Sequence, residues 1–282
     1  HCRLENSKLK AISICMAIVC WLGFTNAWAE EKASKNPLTK SITLFGGIQF
    51  YEADGQFGYA KEGSPNVTLD MKDLGLDETE SSPIAGAVIN FGRRLTLRLD
   101  YFGYHDKGKR TVDYKFDFDG NTYPVGARLD SNLDIDLYVV NLSYNFIRTE
   151  RGRLGVGFGV HAADIKLEVS GKVYAGNLKE DLGSGNEDLL APLPNVYVMG
   201  AYCFTDRLLV RAGGGGMSLN YGDWEGTLYF ANAFVEYWPL RYAGLGAGYR
   251  YLSADVDYKP GHKKETYDVE LPGPVFYVTV GF

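Results

Sequence analysis

Four times along this 282-residue chain an alternating segment runs into an aromatic residue, turns on a few charged residues, and alternates again. "AGAVINF" ends at Phe91, "GRR" turns, and "LTLRLDYFGY" starts at Leu95. "YVVNLSYNF" ends at Phe146, "IRTERGR" turns, and "LGVGFGVHA" follows. "VYVMGAYCF" ends at Phe204 before "TDR" and "LLVRAGGGG"; "YFANAFVEYW" ends at Trp238 before "PLRYA" and "GLGAGYRYL". Period-2 alternation is the spacing of a strand with two different faces. Adding "ITLFGGIQF" (Ile42 to Phe50) and the closing "GPVFYVTVGF" (Gly273 to Phe282) gives about ten strands. That is the even count of an antiparallel sheet closed on itself, with eight as the alternative. The 34 Gly, 20 Tyr and 15 Phe suit pleated, closely packed strands.

The two faces differ in kind. Leu95, Leu97, Leu99 and Tyr101 share one face of their strand, while Thr96, Arg98, Asp100 and Phe102 share the other. Leu154, Val156, Phe158 and Val160 oppose Gly155, Gly157, Gly159 and His161. Leu245, Ala247, Tyr249 and Tyr251 oppose Gly246, Gly248 and Arg250. A water-soluble barrel points its apolar face inward. Here that would crowd Leu, Phe and Tyr inside and leave glycine outside. The opposite arrangement fits: apolar side chains toward lipid, small and charged ones toward a lumen, and an aromatic girdle at the short turns. The fold expected is an all-β, closed antiparallel transmembrane barrel. Its short turns lie on one side. Its long acidic connections, Glu52–Ser82, Asp106–Leu129, Val169–Pro192 and Ala254–Pro272, lie on the other.

The first residues read as an export signal. Arg3, Lys8 and Lys10 precede the apolar "AISICMAIVCWLGF", and Ala27-Trp28-Ala29 has the small-x-small pattern of a cleavage site. The apolar stretch is shorter than the ~20 residues of a spanning helix. The division expected is residues 1–29 as signal peptide, 30–40 as a short periplasmic segment and 41–282 as the barrel. Cleavage takes the formal charge from −6 to −8, because three basic residues and Glu5 are removed. An acidic chain of this kind is no partner for nucleic acid. Cys203 then remains as a single thiol, without an internal disulfide partner.

The signal segment, the hairpins, "DLGLDE" (Asp73 to Glu78), "YWPLRYAGLGAGYRYL" (Tyr237 to Leu252) and the final "FYVTVGF" together resemble the small outer-membrane β-barrel proteins of Gram-negative bacteria, in the broad OmpA/OmpW-like group. The resemblance covers the chain after the signal segment. It implies residence in the outer membrane, contact with membrane lipid and lipopolysaccharide, delivery by periplasmic chaperones, and a monomer. It also implies that a C-terminal aromatic strand is read by the barrel-assembly machinery, a role that falls on Tyr277, Val280 and Phe282. Four short turns rather than the three of eight-strand members favour ten strands.

Chemistry is harder to find. His105, in "YHD", and His161, in "HAAD", each have a carboxylate nearby in sequence, and His262 stands alone. Residues i and i+3 of a strand face opposite sides, so His161 and Asp164 make a poor acid–base pair. "DFDGN" (Asp117 to Asn121) has glycine at the fourth position, where a calcium loop needs it at the sixth. Asp119-Gly120 reads instead as a hairpin turn. No catalytic residue, metal or cofactor is assigned. About ten strands give a lumen barely wider than side chains can fill. Tyr277, Phe102, Met199 and the inward arginines narrow it further.

The lumen expectation can be stated by residue. If Asn220 pairs with Thr227 across "YGDWEG" (Tyr221 to Gly226), Arg211 falls opposite Glu236, with Arg98, Asp100 and Arg250 on other inward faces. Unpaired charge in so narrow a space is costly, so these five should form a charge-paired plug. The function expected is a side-chain-plugged barrel with a structural or surface-presenting role. A narrow passive channel for small or apolar solutes is the alternative, and an outer-leaflet hydrolase or protease a distant third.

Overall fold

The computed structural model describes residues 36–282 apart from 62–66, 77–78, 93, 112, 114, 119–120, 176–177, 260 and 262. The expected export segment with Ala27 and Ala29, and His262, lie outside the described residues. In chain order the elements are η1 (Pro37–Thr39), β1 (Ile42–Glu52), β2 (Asp54–Lys61), β3 (Val67–Asp70), η2 (Met71–Leu74), β4 (Thr79–Phe91), β5 (Leu95–Thr111), β6 (Phe116–Phe118), β7 (Asn121–Tyr123), β8 (Arg128–Arg148), β9 (Gly152–Ala175), β10 (Leu178–Cys203), β11 (Leu208–Tyr221), β12 (Trp224–Tyr237), β13 (Ala243–Tyr258), β14 (Lys263–Glu270) and β15 (Gly273–Gly281).

Ten of these strands make a closed ring. The pairing runs β12-β11-β10-β9-β8-β5-β4-β1-β15-β13 and returns from β13 to β12. β2 and β14 prolong β1 and β15 in one unbroken register. Thr43 faces Gly281 and Gln49 faces Val275 below, and Asp54 faces Glu270 and Lys61 faces Lys263 above. Closure leaves the ring no unpaired edge at this seam, which a sheet in lipid requires. Phe282 extends it, its amide donating to the Ile42 carbonyl at 2.8 Å.

The two faces do not stay constant along the strands. On the lower part of β8, Tyr138, Val140, Tyr144 and Phe146 are exposed outside while Asn141, Ser143 and Asn145 are buried inside. Above Tyr138 the roles exchange. Leu129, Leu133, Ile135 and Leu137 are buried inside, and Asp130, Asn132, Asp134 and Asp136 alternate with them on the outside. β9 repeats this, with Ile165, Leu167 and Val169 buried above the glycine-lined stretch. The physical reason is the solvent on the other side of the wall. Turning a Leu or Ile inward contributes about 1.5–3 kcal/mol where the outside is water. It gains almost nothing where the outside is lipid, which is as apolar as leucine.

This corrects the expectation of one continuously apolar face, and of long open connections. Val169–Pro192 is almost entirely paired strand, β9 with β10 up to Ala175 opposite Leu178. Those two strands run 24 and 26 residues, well beyond the ~9–11 that cross a bilayer. The outer half is therefore a water-type barrel stacked on a lipid-type one. Its interior is an apolar core, roofed by β3, η2 and β7 through Leu69, Met71, Leu74 and Tyr123. Phe118 pairs with Asn121, leaving two residues for the turn expected at Asp119-Gly120, which lies outside the described residues.

The opposite mouth is also closed. Residues 36–40, from the stretch 30–40 expected as a short periplasmic segment, turn into the barrel, and Leu38 packs on inward-facing Ala201, Cys203 and Leu209. The Asn36 side chain caps the turn by accepting from the Leu38 amide at 2.9 Å and from the Cys203 thiol at 3.1 Å. It also donates to the Glu150 carbonyl at 2.6 Å.

Candidate functional site

The expected lumen residues come from two parts of the wall, Arg98 and Asp100 from β5 and Arg211, Glu236 and Arg250 from the adjacent β11, β12 and β13 across the ring, and meet inside it. Arg98 and Asp100 are two apart on β5, so they share its inward face. Arg98 donates from Nε and Nη2 to the two Asp100 oxygens, at 2.7 Å each. Arg250 of β13 reaches the same carboxylate, Nη2 to Oδ1 at 3.3 Å, and donates to the Gln49 side chain of β1 at 3.1 Å. Its guanidinium lies 4.2 Å from the Phe102 ring centroid, and that of Arg98 lies 5.2 Å from the Phe45 centroid.

A second group sits beside it. Arg211 Nε is 3.1 Å from Glu236 Oε1. Glu236 also accepts from Tyr277 Oη and Trp238 Nε1, each at 3.0 Å. The register that produces this differs from the expected one. Asn220 pairs with Glu225, not Thr227, so Arg211 stands opposite Phe234 and Glu236 opposite Leu209. The cause is the turn. Gly222 has φ +61°, so Tyr221 and Trp224 close a two-residue hairpin where a longer connection was expected. A shift of two keeps every side chain on its face, and Arg211 reaches Glu236 along the diagonal.

Glycine makes room for the larger side chains here. A Cβ on Gly157 would stand 2.6 Å from the Tyr197 ring, and one on Gly215 would stand 2.6 Å from the Tyr197 Cβ. What remains open between Arg98, Arg211, Arg250, Asn141, Asn232 and His161 is a cavity of about 80 Å³. That holds a few waters and is well short of the ~300 Å³ at which small-molecule pockets begin.

The two histidines separate. His161 is buried inside, 3.0 Å from the Asn195 amide nitrogen and 4.8 Å from the Phe230 ring centroid. Asp164 is on the other side of the wall, 3.1 Å from Lys166. His105 is outside, and its partner is Asp136 at 3.2 Å, not Asp106. Sequence reasoning missed this pair because His105 and Asp134 are the direct register partners, and Asp136 is reached diagonally. Tyr101 Oη also donates to Asp136 at 2.6 Å. Both members lie above the Tyr101/Tyr138 level, outside the membrane-spanning part. The hydrogen bond to Asp136 raises the His105 pKa, and the same bond lowers that of Asp136.

On the exterior, exposed Phe91, Tyr144, Phe146, Tyr202, Phe204, Tyr237, Tyr242 and Phe282 ring the end with the short turns. A second ring, of exposed Phe50, Tyr138, Tyr229, Tyr249 and Phe276, lies one membrane crossing away. Between them the outer face is mostly Leu, Val, Ala and Gly, with Phe158 exposed at mid-crossing; within, arginines gather around Asp100 and Glu236. The fold is a transmembrane β-barrel of the outer-membrane type. Tyr138 to Phe146 is nine residues of β8, the length of one barrel crossing. In this barrel the expected assembly residues divide, Val280 and Phe282 being exposed outside and Tyr277 turned inward onto Glu236.

No family model matches the sequence, and no curated protein matches it. Solved structures do. The barrel is similar to the outer-membrane protease OmpT of Escherichia coli, at 11% identity and TM-score 0.47 over 85% of this chain and 97% of that one. It is similar to OprG of Pseudomonas aeruginosa, at 11% identity and TM-score 0.42 over 88% and 99%. The translocator domain of the autotransporter NalP from Neisseria meningitidis gives 13% identity and TM-score 0.44 over 98% of each chain.

Proposed function

We propose that this chain is a sealed outer-membrane barrel, without catalytic activity, whose working part is the rigid outer half it holds above the bilayer. The observation that carries this reading is the state of the lumen. Charge pairs narrow it at membrane depth to a cavity of about 80 Å³, an apolar core fills it above, and residues 36–40 close its base. A through-path would have to break all three. The barrel works as a monomer in contact with membrane lipid and lipopolysaccharide, delivered by periplasmic chaperones to the assembly machinery, and it does not engage nucleic acid. Planar-bilayer recording of the refolded protein tests it: the expected trace is silent, and steady unitary conductance would overturn the sealed reading.

A second reading has one observation in its favour. β10 and β11 stop pairing at Val196–Gly216, although both strands continue. Beyond that point Met217 and Leu219, on the inward-facing side of β11, each keep 37% of their surface exposed. An apolar solute would find here a lateral notch just above the outer girdle. Uptake of an apolar dye into liposomes carrying the barrel, blocked by bulky labels at position 219, would support this notch as a passage.

A further inference from the structure

We infer that the central cavity of the lumen is a binding site for a small inorganic anion of the halide class. Between the two aromatic girdles, the charged side chains facing inward among the described residues are Arg98, Arg153, Arg211 and Arg250 against Asp100 and Glu236. Four cations therefore meet two anions inside a wall sheathed in lipid. Uncompensated charge in such a place is costly. The whole chain is acidic, so the excess of positive charge here is local and built in.

The excess is focused on the cavity. Asp100 is shared by two guanidiniums, while Glu236 divides its oxygens among Arg211, Tyr277 and Trp238. A guanidinium carries five N–H donors. Arg98 spends two on Asp100 and still shows 26% of its side-chain surface. Arg98, Arg211 and Arg250 all border the cavity, and the side chains of Asn141 and Asn232 can add amide donors. Facing them is one carboxylate, Asp100, already doubly paired. At about 80 Å³ the cavity takes a halide with a water or two and excludes sugar acids and nucleotides. The inference goes beyond the sealed-barrel reading, since a filled anion site is compatible with a silent or a conducting lumen.

The test uses the full refolded barrel in detergent. At matched ionic strength, the unfolding midpoint in sodium bromide should exceed that in sodium gluconate, whose anion is too large for the cavity. It should rise by about 3–6 °C per tenfold increase of free bromide above its dissociation constant. Asn232→Asp places a fixed carboxylate at the cavity wall. This variant should lose the bromide dependence and melt in gluconate no lower than the wild type does, an outcome that mere structural damage would not give. Crystals grown with bromide should show an anomalous peak among the three guanidiniums, a readout independent of whether the variant folds. Equal midpoints in bromide and gluconate, with no such peak, would overturn the site while leaving bilayer silence to be judged separately.

Discussion

Arg211 and Glu236 are not opposite each other in the sheet; they meet on the diagonal, 3.1 Å apart, with Phe234 and Leu209 as their direct partners. Removing Arg211 leaves Glu236 buried with only Tyr277 and Trp238 to satisfy it. Arg211→Ala should therefore cost about 3–5 kcal/mol in detergent unfolding, and adding Glu236→Gln should recover part of it. A double variant less stable than the single one would show that the pair is not the source of the loss.

The base of the barrel makes a labelling prediction. Cys203 is buried, with its thiol donating to Asn36 under the cover of Leu38. It should resist a water-soluble maleimide. Leu38→Asp should expose it, speeding labelling by at least about tenfold, since ~1.4 kcal/mol of plug stability corresponds to that factor. Equal labelling of both forms would mean that residues 36–40 do not seal the mouth.

Exchange of the faces predicts opposite tolerances on one strand. Val140 faces lipid and Asp134 faces water on the same side of β8. Leu142→Arg, two residues further on the same face and at the centre of the Tyr138–Phe146 crossing, should destabilise the barrel by about 2–4 kcal/mol, the penalty for a cation near the bilayer midplane, whereas Asp134→Arg should cost less than about 1 kcal/mol. Equal costs would place the membrane elsewhere.

The His105–Asp136 pair sets a pH dependence. The folded pKa of His105 is raised, so the pair's contribution is complete below the unfolded value of roughly 6.5. It is lost as pH rises through the higher folded value. Imidazole resonances followed by NMR should titrate above the unfolded midpoint in the wild type and move back down in Asp136→Asn. A midpoint unmoved by that substitution would remove Asp136 as the cause.

Much of this was legible in the order of residues. Glycine alternating with leucine between Leu154 and Val160, or arginine with leucine around Arg98, says which side meets lipid. Four aromatic-turn junctions count the strands. What stayed hidden has physical reasons. The stretch from Leu129 to Asp136 alternates as cleanly as any membrane strand, but its aspartates do not fit an outside assumed to be lipid, so nothing in the sequence extends the Tyr138–Phe146 strand into it. The two-residue turn at Gly222-Asp223 depends on a positive φ that composition does not reveal. Pro37, Leu38 and Thr39 are too few to carry a periodicity, so nothing in them announces a plug. The pairing of His105 with Asp136 belongs to the register between β5 and β8, and the sequence separates those residues widely.

The seam where β1 meets β15 also decides when the lumen can become neutral. Gln49 and Arg250 flank that seam on β1 and β13, and the acceptor for Arg250, Asp100, is on β5. Tyr277, which holds Glu236, is on β15, one side of the seam. These contacts join residues as much as 201 positions apart, so chain topology makes them late and slow to form. Once the ring is shut, opening it must break them together. The barrel's persistence is then governed by the height of an unfolding barrier, and its lifetime in the membrane is a kinetic quantity rather than an equilibrium one.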